Sequence, residues 1–200
     1  LALQSVLFPV ANSIVQAAVN TMGTDTIAAW GVCDKLDMLI WLLADAMGPA
    51  LATYTAQNMG AGRWDRVCKG NRIGAAMSVA AVGTVSLGLY FLTAPLGGLF
   101  VSVQDAAAVV PQAVAFMRRM APFFLFYALA ESFSGACCGT GDTVRPMILT
   151  LLSICLLRVL GILLVLPRQH TMECIIDIYI SSWIAAGIGF LILWQWEKNR

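Results

Sequence analysis

Charge is scarce in this chain. Asp, Glu, Lys and Arg make up 12% of its 200 residues, against roughly 25% in an ordinary soluble domain. Histidine is nearly missing: His170 is the single one, so no second imidazole is available for a histidine metal site or a catalytic triad. Six cysteines occur (Cys33, Cys68, Cys137, Cys138, Cys155 and Cys174), but no Cys-x-x-Cys pair. They read as small apolar fillers, with no bound metal and no disulfide framework expected. There is no H-E-x-x-H and no G-x-S-x-G, and no glycine loop ends in Gly-Lys-Ser/Thr. An enzyme and an ATP-driven machine are therefore set aside, and no cofactor is expected. A net charge of +1, with no basic block or stacking stripe, excludes nucleic acid as a partner.

Apolar sequence fills the space. Hydrophobic residues are 60% of the chain, with 17 Gly, 9 Met and 6 Trp, and the mean hydropathy is +0.80. This is the composition of an all-α integral membrane protein whose partner is the lipid bilayer. A spanning helix needs roughly 20 mostly apolar residues. Six stretches qualify, at about 2–22, 26–58, 73–92, 121–138, 146–166 and 174–196, so the chain is expected to form one six-helix transmembrane unit over 1–200. The second stretch is longer than a bilayer requires and must tilt, bend or protrude, with Pro49 the expected kink. Residues 105–119 are less apolar and close on Arg118 and Arg119; they are expected to form an interfacial helix leading into the fourth span. The chain opens at Leu1 in apolar sequence interrupted by Pro9, Asn12 and Gln16, which is no secretory leader. The expectation is a fragment that begins at, or inside, a transmembrane helix.

Orientation follows from Lys and Arg in the loops. One side collects Arg63, Arg66, Lys69, Arg72, Arg145, Lys198 and Arg200, while the loops of the other side hold only Arg168. The first side, with the C-terminus, is expected to be cytoplasmic, in a cell membrane. Arg118 and Arg119 would lie near the outer interface, where long side chains snorkel. Two loops echo one another: Gly60-Ala-Gly62-Arg63 and Gly139-Thr-Gly141-Asp142 each follow a helix reaching the basic side, where glycine is the usual helix terminator.

Ionisable side chains inside spans cost about 2.5–3.5 kcal/mol each on insertion scales and mark pathways more often than lipid faces. The second helix carries Asp34, Lys35, Asp37 and Asp45. At 100° per residue, Asp34, Asp37, Trp41, Asp45 and Gly48 form one stripe that should face a bundle interior or a wet cavity. One reading is a cation or proton site at Asp34 and Asp37, with Trp41 as an aromatic surface for an organic cation. The other is a structural group in which Lys35 neutralises a neighbouring Asp. Glu131 is the one acid of the fourth span, with Tyr127 a turn earlier on the same face. It is either a coupling carboxylate for H+ or a transient Na+, or half of a buried pair with Lys35 or Arg158. Asn12 and Gln16, at i and i+4, line a cavity or join helices.

The runs Ala28-Ala-Trp-Gly-Val-Cys-Asp-Lys-Leu-Asp37, Tyr54-Thr-Ala-Gln57-Asn58-Met-Gly60-Ala-Gly62-Arg-Trp-Asp-Arg66 and Glu131-Ser-Phe-Ser-Gly-Ala-Cys-Cys-Gly139-Thr-Gly141-Asp-Thr-Val-Arg-Pro146-Met147 resemble the multidrug and toxic compound extrusion (MATE) family. The resemblance covers essentially the whole chain and places it on the C-terminal lobe, helices seven to twelve. It implies a partner lobe of six helices preceding this one, a shared central cavity, and export of cationic drugs in exchange for Na+ or H+. By position, Glu131 matches an acidic residue of the family's tenth helix, and Asp34, Lys35 and Asp37 the polar segment of its eighth. Asn12 falls near where some members place a cation-binding glutamate; this chain has no acid in its first helix. Cys137-Cys138 stands where many relatives have Leu-Arg, which implies a divergent branch. A lipid or oligosaccharide flippase of the same broad superfamily is the alternative, for which a basic cavity would be expected.

Overall fold

The computed structural model describes residues 2–199, with side chains from Leu7 onward; Arg200, counted above among the basic residues, lies outside them. The described residues are helical, with short connections. The helices are α1 (Ala2–Val19), α2 (Thr24–Gly60), α3 (Trp64–Gly97), α4 (Ala106–Met120), α5 (Phe124–Gly139), α6 (Val144–Thr150), α7 (Leu157–Leu164) and α8 (Met172–Lys198). A single 3-10 turn, Ala121–Phe123, joins α4 to α5, and a π turn, Leu151–Leu156, joins α6 to α7. Both are continuous rods, with Pro122 in the first helical turn after the α4 break, where its missing N–H costs least.

Four rods are long and apolar enough to cross a membrane: Trp64–Gly97, Ala106–Gly139, Val144–Leu164 and Met172–Lys198. The expected six are thus met at four. α2, 37 residues long, is not among them, and α1 contributes the shorter apolar stretch Leu7–Val19. The third span is expected at about 73–92, yet α3 already starts at Trp64, because a helix satisfies its own backbone and needs no apolar side chains where it leaves lipid. Residues 105–119, expected as a helix leading into the fourth span, run on into it as one continuous rod, Ala106–Gly139. Val109, Ala113, Phe116, Met117 and Met120 form a buried stripe at helical spacing, and α4 packs by it against α2 and α3.

The bundle is built around α2 and α5, its most extensively packed pair. They cross where Gly48 meets Gly135: a Cβ added to Gly135 would lie 2.7 Å from the Gly48 carbonyl carbon and 2.8 Å from its Cα. Small residues at such crossings let helices approach through dispersion contacts, the main attraction available inside lipid. α3 packs on α2 and α5, α8 on α5, and α7 between α1 and α8. One core, around Trp183, Phe124, Ile40, Met117 and Met120, fills the half away from the basic loops. A second, around Val67, Ala136, Phe190 and Trp194, fills the basic end. Large apolar side chains are also exposed in rows, among them Met77, Leu87 and Phe91 on α3 and Leu152, Leu156, Leu160 and Leu163 on α6–α7; lipid is the solvent that suits such faces.

Gly62 and Gly141 have φ of 67° and 98°, the left-handed region that favours glycine. Each sits in a loop at the basic end. Gly60 and Gly139 instead finish α2 and α5. Pro146 lies in the first turn of α6, and Asn58 donates through Nδ2 to the Tyr54 carbonyl; Gln57 is exposed on the last turn of α2. At this end Arg145 bridges Asp142 and Glu197, both at 3.0 Å, tying α6 to α8. At the other end Arg119 and Asp177 form a two-bond ion pair between α4 and α8, and Arg118 lies over the Tyr90 ring.

Candidate functional site

α2 turns its charged stripe toward α5 and α7, and the space between holds a cavity of about 570 Å³. Asp34, Asp37, Trp41 and Asp45 line it from α2, Tyr127 and Glu131 from α5, Asn12 from α1, and Arg158 from α7. Trp30, Tyr179, Phe8 and Ile154 complete the wall. The volume lies in the range that takes a drug-sized molecule.

The side chains are ordered by one another. Asp37 is only 6% exposed and accepts a hydrogen bond from Trp41 Nε1 at 3.0 Å. Trp41 stands edge-on to Tyr127, with ring centroids 4.4 Å apart, and is flanked by Phe124 and Trp183. Tyr127 donates its hydroxyl hydrogen to Asp45 Oδ1 at 2.7 Å. Glu131 lies beside the helix crossing, where its Oε2 would be 3.5 Å from a Cβ on Gly48. One carboxylate in a low-dielectric wall is costly, and several in one wall repel. Among the described residues none of these four acids has a Lys, Arg or His partner within 4 Å: the ion pairs there are those of Arg119 and Arg145. The pairing of Glu131 with Lys35 or Arg158 is therefore absent. Arg158 donates from Nε to Ser182 Oγ at 2.9 Å and stacks its guanidinium 4.0 Å from the Tyr179 ring centroid.

Of the residues expected to form the site, Asp34, Asp37, Glu131, Asn12, Trp41 and Tyr127 line one cavity. Lys35 does not. One residue along a helix is a 100° rotation, and this carries Lys35 to a separate hollow of about 510 Å³ beside Asp25, Asp105 and Phe100, with Nζ 5.3 Å over the Phe100 ring. Nor does Lys35 neutralise a neighbouring Asp within ion-pair distance. Gln16 shares a face with Asn12 but sits a turn further on and donates to Asn20 Oδ1 at 2.9 Å. Asp45, already on the stripe, joins the site fully. Arg158, Tyr179 and Trp30 carried no signal of their own in the sequence beyond being polar or aromatic within a span. No three His, Cys, Asp or Glu side chains among the described residues converge closely enough to hold a metal ion, so the acids line the cavity without forming a ready-made cation cage.

A helical membrane bundle enclosing an acidic, aromatic-walled cavity defines a carrier of solutes more than a scaffold. The MatE family model matches residues 1–164, and the chain belongs to that family of membrane transporters. Relatives include the "Probable multidrug resistance protein YoeA" of Bacillus subtilis (strain 168), 21% identical over 200 residues, covering 98% of this chain and 42% of that protein. The "Probable multidrug resistance protein YpnP" of the same organism is 26% identical over 144 residues, 72% of this chain and 32% of that one. An "FAD transporter" of Shewanella oneidensis is more distant, 25% identical over 99 residues, half of this chain and 22% of that protein. The chain thus spans less than half the length of the curated relatives it matches.

Proposed function

We propose that this chain is one lobe of a multi-pass cell-membrane exporter that moves organic cations outward in exchange for Na+ or H+, its basic end and C-terminus cytoplasmic. A further six-helix lobe, preceding this one in the protein, would close the cavity from the other side. The observation that carries the reading is the wall itself: Asp34, Asp37, Asp45 and Glu131 share one cavity with Trp41 and Tyr127, with no cation paired to any of the acids among the described residues.

Coupling arises from competition. A cationic drug and a coupling ion are attracted to the same carboxylates, and aromatic faces add to the attraction for the drug. A ligand shifts a two-state equilibrium only by binding the two states differently. Occupation of Glu131 and of the Asp34/Asp37 pair by H+ or Na+ changes the charge of the wall, so the states with and without the ion differ in drug affinity. The flippase alternative is less well served, since one arginine faces four carboxylates across the cavity.

The test is ethidium efflux from vesicles carrying the protein as the cell makes it, driven separately by a sodium gradient and by a proton gradient. One gradient is expected to drive efflux, and Glu131→Gln to reduce the driven rate at least about tenfold. Efflux unchanged by Glu131→Gln, under the gradient that drives the wild type, removes Glu131 from the coupling role.

A further inference from the structure

Among the described residues, Arg158 is the one cationic side chain that lines the cavity. It is 5% exposed, on a rod fit to cross a membrane, where an unpaired guanidinium is among the most expensive groups to place. Its fixing is one-sided. Nε is held by Ser182 on α8, whose hydroxyl donates in turn to the Tyr179 carbonyl, and the guanidinium plane rests on Tyr179. The two terminal amino groups have no hydrogen-bond partner among the described residues, and no carboxylate comes within ion-pair distance, although four line the same cavity. The π turn directly before α7 rotates the helix just ahead of this residue, a feature that recurs at functional positions. A guanidinium clamped along one edge beside a cavity, its paired N–H groups without a partner among the described residues, is a ready fork for a carboxylate or phosphate.

We infer that Arg158 is an anion-recognising, specificity-determining residue, and that the preferred cargo is a flat aromatic zwitterion: its basic group goes to the carboxylates of α2 and α5, its acidic group to Arg158. The inference rests on the exporter reading above and narrows its substrate class. Trp41 and Tyr127 line the same cavity and supply aromatic surface for a ring system, while the face of Tyr179 is taken by the Arg158 guanidinium itself. Rigidity favours a ligand anchor over an internal substitute for the cargo, since a guanidinium both stacked and hydrogen-bonded cannot swing to Glu131 without losing both contacts.

Two dyes separate the possibilities. Rhodamine 123 is a methyl ester and a plain cation; rhodamine 110 has the same rings with the ester replaced by a free carboxylate. Efflux of both is measured from vesicles carrying the protein as the cell makes it, for the wild type, Arg158→Met and Arg158→Lys. The wild type is expected to carry rhodamine 110 at least as well as rhodamine 123. Arg158→Met should lower the ratio of rhodamine 110 to rhodamine 123 efflux about tenfold or more, the change expected for one charge-assisted hydrogen bond. Arg158→Lys should restore part of that ratio, because it keeps the charge without the fork. A wild type that carries rhodamine 123 and rejects rhodamine 110 overturns the inference and leaves the exporter reading standing. So does an unchanged ratio in Arg158→Met, or equal loss of both dyes in both variants, which makes Arg158 structural. A wild type that moves neither dye under either gradient removes both.

Discussion

Gly135→Ala adds one methyl group at the place where α2 and α5 touch backbone to backbone. The new carbon would lie 2.7 Å from the carbonyl carbon of Gly48 and 2.8 Å from its Cα, and closer still to the carbonyl oxygen. Carbon atoms rest at about 3.5–4.0 Å, so the helices must part by roughly 1 Å. Backbone cannot rotate out of the way as a side chain can, and overpacking of this kind costs about 1–3 kcal/mol. For a chain of this size that is about 2–4 °C of melting temperature per kcal/mol. The shift also moves Glu131, one turn earlier on α5, away from α2 and from Asp45 and Trp41 opposite. Gly88→Ala is the control, with nothing within 4 Å of the added carbon. Melting of the detergent-solubilised protein, followed by near-ultraviolet circular dichroism, should fall by several degrees in Gly135→Ala and hold in Gly88→Ala, with ethidium efflux reduced in the first alone. Equal melting temperatures and equal efflux for the two variants would refute the claim that this crossing sets the width of the site.

Thr55 and Asn71, both fully buried, exchange hydrogen bonds between α2 and α3 at 2.8 and 3.1 Å. Thr55→Val strands the Asn71 amide and should cost about 1–3 kcal/mol, while the double change Thr55→Val/Asn71→Leu should recover part of it in a melting-temperature cycle. Gly141→Ala forces a side chain into a left-handed backbone and should lower stability by about 1–2 kcal/mol, whereas Gly60→Ala, in open space at the end of α2, should leave melting within a degree of the wild type. Asp142 titrates outside the spans. Partial burial pushes its carboxyl up, but the Arg145 amide and guanidinium and the Val144 amide outweigh this and hold it below the usual carboxylate range. A depressed carboxylate stabilises above its unfolded value and loses that contribution as pH falls through its folded one. The melting-temperature gap between wild type and Asp142→Asn should therefore shrink toward acid, and a gap that widens would contradict the sign.

Much of the site was legible because helix periodicity is a strict ruler. The 100° step put Asp34, Asp37, Trp41 and Asp45 on one stripe, and all four line the cavity. The same ruler separates Lys35 from Asp34, and grouping the two by adjacency overrode it. Asn12 and Gln16 show the other limit: a shared face fixes direction, not height, and only Asn12 reaches the cavity. α3 extends past the expected span 73–92 at both ends, because hydropathy reports where lipid is, while helices continue into water wherever their backbone bonds are satisfied. The π turn left no trace, since Leu-Leu-Ser-Ile-Cys-Leu is ordinary span sequence. With it went the direction of Arg158, which had seemed a structural partner for an acid.

The crossing of α2 and α5 explains why the acids can share a wall at all. From Gly48 and Gly135 toward the basic end the two helices stay in contact, with Gly139 against Ala52 and Thr55. In the other direction Trp41, Phe124 and Tyr127 stand between them. Small residues close the pair on one side and large rings stand in it on the other, where the cavity lies. Glu131 lies at that boundary, its carboxylate in the cavity and its backbone carbonyl 3.4 Å from where a Gly48 Cβ would sit. If the space above takes a cation, as proposed, removing its charge acts on two things together: the attraction for that cation, and the desolvation cost that the tight contact below must bear. No other acid of the wall occupies both places. On the exporter reading, it is the one of the four carboxylates through which ion binding and helix packing would be joined.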